Sequence, residues 1–286
     1  MSSVILATCA ALPDGDEDAP LLLAALERAG VSASWQSWTD PGVDWSAALT
    51  VVRSPWDYTE RPEQFLDWTR AVPRLANPAA VIEWSANKTY LATLAEAGVP
   101  IVPTAFAEPG TSPALRTDVE FVVKPSIGAG SRGAGRFAAG DVAGGRAQVE
   151  LLHAAGRTVL VQPYLGEVDV RGETALLYFD GEFSHAVIKG AMLPEGTVHP
   201  MFSYALYVEE RITPCAPTDA ELAVGEAAIT LLRKRFGHDL LYTRVDLLPG
   251  PDGPVVVELE LAEPSVFLGH ADGAADRFAT AIAALA

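Results

Sequence analysis

The sequence predicts an α/β fold with α+β character in its second half, and three observations carry that prediction. Strand-like and helix-like stretches alternate over residues 1–83. A strand, a glycine-rich stretch, a helix and another strand follow over 84–164. From 165 to 286, strands joined by hairpin signals lie between amphipathic helices. The chain has 286 residues, 49% hydrophobic and 20% charged, which excludes a mainly disordered protein; the length suggests roughly two domains and allows one or three.

The elements follow in order. Val4–Ala7 is a short apolar strand leading to the polar loop 13–18. Leu21, Leu22, Ala25, Leu26 and Ala29 recur at helical spacing, and Gly30 closes that helix. Ser32–Gln36 and Leu49–Val52 read as strands, and Arg61–Leu75 as a helix opened by Pro62. This order predicts a small parallel sheet and an N-terminal unit, 1–83. Asn87 caps a helix to Ala97, ended by Gly98. Phe121–Lys124 is a strand, Gln148–Ala155 a helix, and Thr158–Gln162 a strand that stops at Pro163. These define a central unit, 84–164.

In the third unit, 165–286, strands Thr174–Phe179 and Phe183–Ile188 flank Asp180-Gly181, a type I′ turn signal. Gly190–Pro217 has no period and reads as a long functional or mobile loop. Glu221–Phe236 is a helix. Tyr242–Leu248 and Val255–Leu261 pair across PGPDG, and Asp272–Ala284 is the last helix.

Charge narrows the function. With 37 acidic and 20 basic residues the net charge is −17, which disfavours nucleic acid and anionic membranes as partners. No apolar run reaches the length of a membrane span. The apolar opening lacks a cationic flank and reads as a buried strand, not a signal peptide. Cys9 and Cys215 form no motif, and reduced packing cysteines in a cytoplasmic protein are expected. There are only four lysines; Lys88, Lys124 and Lys189 sit beside apolar runs or glycines, which invites a role for each.

Four constellations carry chemistry. In the hairpin 242–261, a turn centred on Asp252 places Asp246 opposite Glu258, and Glu260 shares a face with Glu258. Crowded carboxylates need cations, and hard oxygen ligands suit Mg²⁺; a solvated sheet face would give the same alternation. In KPSIGAGSRG, a strand delivers Lys124 to a glycine loop whose N–H groups can approach phosphate oxygens. An ordinary hairpin loop with an exposed Arg132 fits too. In VLVQPYL, a strand broken by proline frees backbone groups for an adenine edge, with Glu167 and Asp169 nearby for ribose; an interdomain linker would read the same way. At RSPWDY, Arg53 leaves its strand at the carboxyl end, where open α/β sheets bind ligands. It can grip a carboxylate, Asp57 can bind an amino group, and Trp56 and Tyr58 either wall a pocket or pack a loop.

Together, NK (Asn87, Lys88), VVKP with its glycine loop, VQPYL, the strand pair ending in Lys189, and RVDLL…VVELEL resemble the ATP-grasp superfamily over about residues 84–265. The resemblance implies a small N-terminal domain followed by two α+β domains that clasp ATP. Lys88 and Lys124 match the phosphate-binding lysines, and the loop carrying Gly128, Gly130, Ser131 and Gly133 matches the mobile loop above them. Gln162, Tyr164 and Leu165 match the adenine hinge, and Glu167 or Asp169 the ribose carboxylate. Lys189 takes the place of a triphosphate-binding cation. Asp246, Glu258 and Glu260 match a two-magnesium site, although many members carry asparagine at the position of Glu260.

RSPWDYTERPEQFLDW and VELELAEPSVFL resemble the subgroup containing the cycloserine synthetase, an O-ureido-serine cyclo-ligase, and more distantly bacterial glutathione synthetases. Pro55 stands where that subgroup has threonine. The resemblance implies a cytoplasmic, ATP- and Mg²⁺-dependent C–N ligase acting on an amino-acid-like carboxylate through an acyl phosphate. Lys189 and Arg244 would offset phosphoryl charge. Arg53, Trp56, Asp57, Tyr58 and Ser265 would face the substrate. Cyclisation is the leading reading; a carboxylate–amine ligase, an ATP-grasp kinase or carboxylase, and a non-catalytic nucleotide sensor are its rivals. Oligomeric state is left open, and a homodimer is compatible with the sequence.

Overall fold

The computed structural model describes residues 2–116, 118–128, 130–200 and 211–286. Among them, no helix is long and apolar enough to cross a membrane.

The first sheet is parallel. Strands β1 (Ser2–Thr8), β2 (Val31–Ser37) and β3 (Leu49–Ser54) lie in the order β2-β1-β3, with α1 (Ala19–Arg28) crossing between the first two. Two helices follow, α2 (Pro62–Ala71) and α3 (Ala79–Ser85). The helix expected to run to Leu75 stops at Ala71 because Val72 precedes Pro73, and a residue before proline is pushed out of the α region; its ψ is 116°.

After α4 (Tyr90–Glu96) comes a four-stranded antiparallel sheet. It contains β4 (Ala105–Ala107), β5 (Phe121–Pro125), β6 (Gly135–Phe137) and β7 (Val159–Pro163), ordered β4-β7-β5-β6 and backed by α5 (Val142–Ala154). Two helix starts differ from expectation. Asn87 accepts from the Thr89 N–H, and α4 begins after it. Helix α5 begins six residues before Gln148, capped by Asp141, whose side chain accepts from Gly144 N–H; Gly144 and Gly145 hide that turn from a propensity reading.

The third sheet holds β8 (Glu173–Phe179), β9 (Glu182–Lys189), β10 (Ile212–Cys215), β11 (Tyr242–Gly250) and β12 (Gly253–Glu260), in the order β10-β9-β8-β11-β12. Its helices are the short α6 (Val168–Arg171), α7 (Asp219–Phe236) and α8 (Ala274–Leu285). Thr218 and Glu221 form a capping box at the start of α7, and Gly237 ends it in the left-handed region. Asp180 (φ 50°) and Gly181 (φ 74°) make the β8–β9 turn as expected. The long segment 190–217 is not uniformly aperiodic: β10 lies within it, and 201–210 fall outside the described residues.

Asp246 does pair with Glu258, by a route different from the expected one. The turn is tighter, with Gly250 opposite Gly253, and a bulge after Asp246 restores the register.

Both faces of the third sheet are buried. Along β8, Ala175, Leu177 and Phe179 pack into a core shared with α1, α8 and the first sheet, whereas Leu176 and Tyr178 pack with α4 and α7. The four-stranded sheet has a smaller core of its own around Phe121, Val123 and Leu152. Pro100–Val102 links the sheets: Val102 N–H donates to Val256 O at 3.0 Å, and Val256 N–H to Pro100 O at 2.8 Å.

Candidate active site

A cleft opens between the four-stranded and five-stranded sheets. Five cations (Lys88, Lys124, Arg132, Lys189, Arg244) and three carboxylates (Glu173, Glu258, Glu260) line it, an excess of positive charge in a strongly acidic protein. That sign suits an anionic ligand.

The floor is a chain of ion pairs. Side chains two apart on a strand share a face, so Arg244 meets Asp246 directly: Nε to Oδ1 at 2.8 Å and Nη2 to Oδ2 at 2.9 Å. Arg244 Nη2 also donates to Glu260 Oε1 at 2.5 Å. Lys189 Nζ bridges Asp246 Oδ2 (2.9 Å) and Glu173 Oε1 (2.5 Å). Lys88 Nζ pairs with Glu258 Oε1 at 2.8 Å and donates to Gly128 O at 2.6 Å. Burial alone would raise the Asp246 pKa, but Arg244 and Lys189 outweigh it and hold the carboxyl well below the usual carboxylate range. Glu173 and Glu260 are pushed up by burial, against the pull of Lys189 and Arg244 respectively. Among the described residues no group of three acidic, His or Cys side chains stands ready to hold a metal, and Asp246, Glu258 and Glu260 each face a cation. The donor set still fits Mg²⁺: hard oxygens from adjacent strands, neutralised by lysines able to turn to phosphate instead.

The roof is different. Lys124 leaves β5 into the cleft, and among the described residues it makes no hydrogen bond or ion pair. Burial lowers its pKa to about 8, with Glu258 opposing and Lys88 adding to the drop. The glycine loop runs above it. Gly130 (φ 59°), Ser131 (φ 58°) and Gly133 (φ 70°) all sit in the left-handed region, a backbone that glycine adopts freely. Arg132 reaches across to Thr59 Oγ1 at 2.6 Å.

At the hinge, Gln162, Tyr164 and Leu165 line the cleft, and Gln162 is held by Thr104 Oγ1 at 2.9 Å. Neither Glu167 nor Asp169 lines it. Glu167 is exposed at the start of α6, and Asp169 is occupied by Arg136 and by the Tyr164 hydroxyl. Glu173 does line the cleft and was missed; a carboxylate opening an otherwise apolar strand was its signal.

The expected substrate residues lie beside the cleft, not in its lining. Arg53 is 0% exposed, so it is not a guanidinium open to a substrate carboxylate. Its place inside β3, not beyond it, turns it inward, to Asp16 Oδ2 at 3.1 Å and Pro264 O at 3.0 Å. Asp57 does not present a free carboxylate, since it accepts from Trp38 Nε1 and Arg61, both at 2.7 Å. Trp56 Nε1 donates to Glu263 O, the Tyr58 hydroxyl bonds the Glu263 side chain, and Ser265 O accepts from Arg244 Nη1.

These contacts belong to one pattern. Six successive carbonyls each accept a side-chain hydrogen bond: Leu261 from Asn77, Ala262 from Tyr242, Glu263 from Trp56, Pro264 from Arg53, Ser265 from Arg244 and Val266 from His185. Strands of the first and third sheets, with Trp56 and Asn77 from the connections after β3, thereby fix the segment that leaves the floor. Glu263, buried beside Lys88, Glu258 and Glu260, was also missed; its spacing of three from Glu260 hid it from a strand reading.

Comparison with known proteins gives the family. The family described as D-cycloserine synthetase DcsG, N-terminal domain, matches residues 4–77. The cycloserine biosynthesis protein DcsG of Streptomyces lavendulae is 41% identical over 94% of this chain and 93% of its own. The crystal structure of D-cycloserine synthetase DcsG superposes with a TM-score of 0.88 at 37% identity, covering 100% of both chains. The ATP-grasp ligase PsnB, complexed with a phosphomimetic precursor variant, Mg and ADP, shares the fold at TM-score 0.61 and 18% identity, with 100% and 99% covered. So does the D-alanine–D-alanine ligase of Bacillus anthracis complexed with ATP, at 0.60 and 13%, with 99% and 96% covered. The chain belongs to the D-cycloserine synthetase family of ATP-dependent ATP-grasp ligases.

Proposed function

We propose that this ligase converts an O-ureido-serine type substrate to cycloserine, as part of antibiotic biosynthesis in the cytoplasm. The observation that carries the nucleotide half of this reading is Lys124, a half-buried ammonium in the cleft that has no partner among the described residues and lies beneath a glycine-rich loop. The substrate half rests on likeness to the DcsG relatives over nearly the whole chain.

In this reading a carboxylate oxygen attacks the γ-phosphorus of ATP, and ADP leaves. The nitrogen bonded to the substrate's side-chain oxygen then attacks the acyl carbon and phosphate leaves; water removes the carbamoyl group that this nitrogen carries, as carbon dioxide and ammonia, to give cycloserine. The protein supplies position and charge, with no covalent nucleophile of its own. Lys88 and Lys124 hold phosphates under the loop of Gly128, Gly130, Ser131 and Gly133. Gln162, Tyr164 and Leu165 hold the adenine. Glu173 is the ribose carboxylate, in place of Glu167 or Asp169, because it alone of the three lines the cleft. Lys189 and Arg244 steady the transferring phosphoryl group. Asp246, Glu258 and Glu260 hold two Mg²⁺ ions, which neutralise phosphate charge when bound. The units divide the work: 1–83 shapes the substrate side, 84–164 covers the nucleotide and 165–286 carries the metal ligands. Ser265 faces the substrate, while Arg53, Trp56 and Tyr58 act through the 261–266 segment they hold.

The test is ADP release stimulated by O-ureido-serine, with mass spectrometry of the product. Cycloserine appearing with ADP and phosphate supports the reading. ADP release driven only by a carboxylate plus a separate amine would replace cyclisation by intermolecular ligation.

A further inference from the structure

Arg136 has no place in the roles above, yet it is one of the most heavily bonded side chains in the molecule. It sits in β6 and is 7% exposed. Nε and Nη2 both donate to Glu120 Oε2, at 3.1 and 2.6 Å. Nη1 donates to Asp169 Oδ2 and to Leu193 O, both at 3.1 Å. Its guanidinium carbon lies 3.5 Å from the centroid of the Tyr164 ring, a stacked cation–π contact. Tyr164 is tied back in turn, N–H to Glu120 O at 2.8 Å and hydroxyl to Asp169.

The backbone beside Arg136 makes a second set of contacts. Residues 197–200 run antiparallel to 133–136: Arg136 N–H donates to Thr197 O at 2.9 Å, His199 N–H to Ala134 O at 2.9 Å and Gly133 N–H to Pro200 O at 3.3 Å. This strap begins with Met192 and Leu193, which line the cleft opposite the hinge. One side chain therefore joins the lid sheet, the hinge tyrosine and the strap, and one face of the Tyr164 ring is committed to the guanidinium rather than to a base.

We propose that Arg136 is a positioning residue for the nucleotide: it fixes the hinge at Tyr164 and the strap at Leu193 as two walls of one pocket. This rests on the nucleotide reading of the cleft. Arginine suits the task because a planar, five-donor group can serve three acceptors while stacking; an ammonium cannot.

The test combines steady-state kinetics with hydrogen exchange on the full chain. Arg136→Ala should raise the KM for ATP roughly ten- to hundred-fold, the range for losing hydrogen bonds to charged groups. The kcat at saturating ATP and the KM for the carboxylate substrate should stay within about twofold. Arg136→Lys should recover only part of the loss. Amides in 197–199 should exchange faster in Arg136→Ala. Arg146→Ala, an exposed cation on α5, should change nothing. Should Arg136→Ala fail to fold, Asp169→Asn, which removes the charge of one of the guanidinium's partners, should give a smaller rise in the same KM. An unchanged KM for ATP in a folded variant, equal rises for both substrates, or unaltered strap exchange would overturn the proposal. Wild-type enzyme without ATP-dependent turnover would instead overturn the nucleotide reading itself.

Discussion

The two walls of the cleft solve the problem of holding charge in opposite ways. On the floor, Asp246, Glu258 and Glu260 are each paired with a cation, and Asp246 is 1% exposed. On the roof, Lys124 has no partner among the described residues, and three residues of the loop above it adopt left-handed backbone. A paired charge is stable but must be released before it can act; an unpaired one is costly but ready. The floor is thus bound into the fold, between two cores, while the roof stands on a small core of its own. Stability and ligand binding should separate along this line.

The largest effect is expected at the floor. Asp246→Asn should abolish turnover and also destabilise the fold by about 3–5 kcal/mol, because Arg244 and Lys189 lose the charge they were buried against. Glu258→Gln should abolish turnover at a smaller stability cost, since Glu258 is partly exposed. Chemical denaturation of both variants beside an ADP-release assay separates the two outcomes. Equal stability loss would erase the distinction between buried and rim carboxylates.

Arg53→Ala comes next. It strands Asp16, whose Oδ1 is already without a partner, and frees Pro264 O, so a loss of about 3–5 kcal/mol in denaturation is expected. Arg53→Lys should recover little. A stable Arg53→Ala protein with only a raised KM for the carboxylate would restore Arg53 as a direct substrate anchor.

The roof predicts the reverse of the floor. Lys124→Ala should weaken nucleotide binding strongly while leaving the melting temperature unchanged or higher, because the substitution removes a desolvated charge with no partner among the described residues. Lys234→Ala, on exposed α7 surface, should alter neither. Calorimetric titration with a non-hydrolysable ATP analogue and a thermal melt suffice for both variants.

Much of this contrast was legible in the residues. Period-two alternation put Arg244, Asp246, Glu258 and Glu260 together, and the glycine loop advertised its backbone. The pairing of those charges was not legible, since Lys88 and Glu258 meet only through tertiary packing. Helix α3 and strands β4, β6 and β10 escaped because they are short and take their stability from neighbours rather than from a period of their own. Arg53 was located correctly at its strand but misread: its motif offered a cation and two rings, while its partner, Asp16, lies in a loop 37 residues earlier. Arg136 carried no local signal at all, because its four attachments come from residues spread between Glu120 and Leu193.

The central claim is that Lys124 waits, partly deprotonated, for an anion. Burial sets its pKa at about 8 in the free protein, so at pH near 8.5 the neutral form predominates. A bound phosphate favours the charged form and raises that pKa, so binding must draw a proton from solution. The decisive measurement is calorimetry of ADP binding, without divalent metal, at pH about 8.5 in buffers of different ionisation enthalpy. The account predicts net proton uptake of up to about three-quarters of a proton per site in the wild type, falling off toward pH 7 and lost in Lys124→Met. The same uptake in Lys124→Met, or none in the wild type, would contradict it.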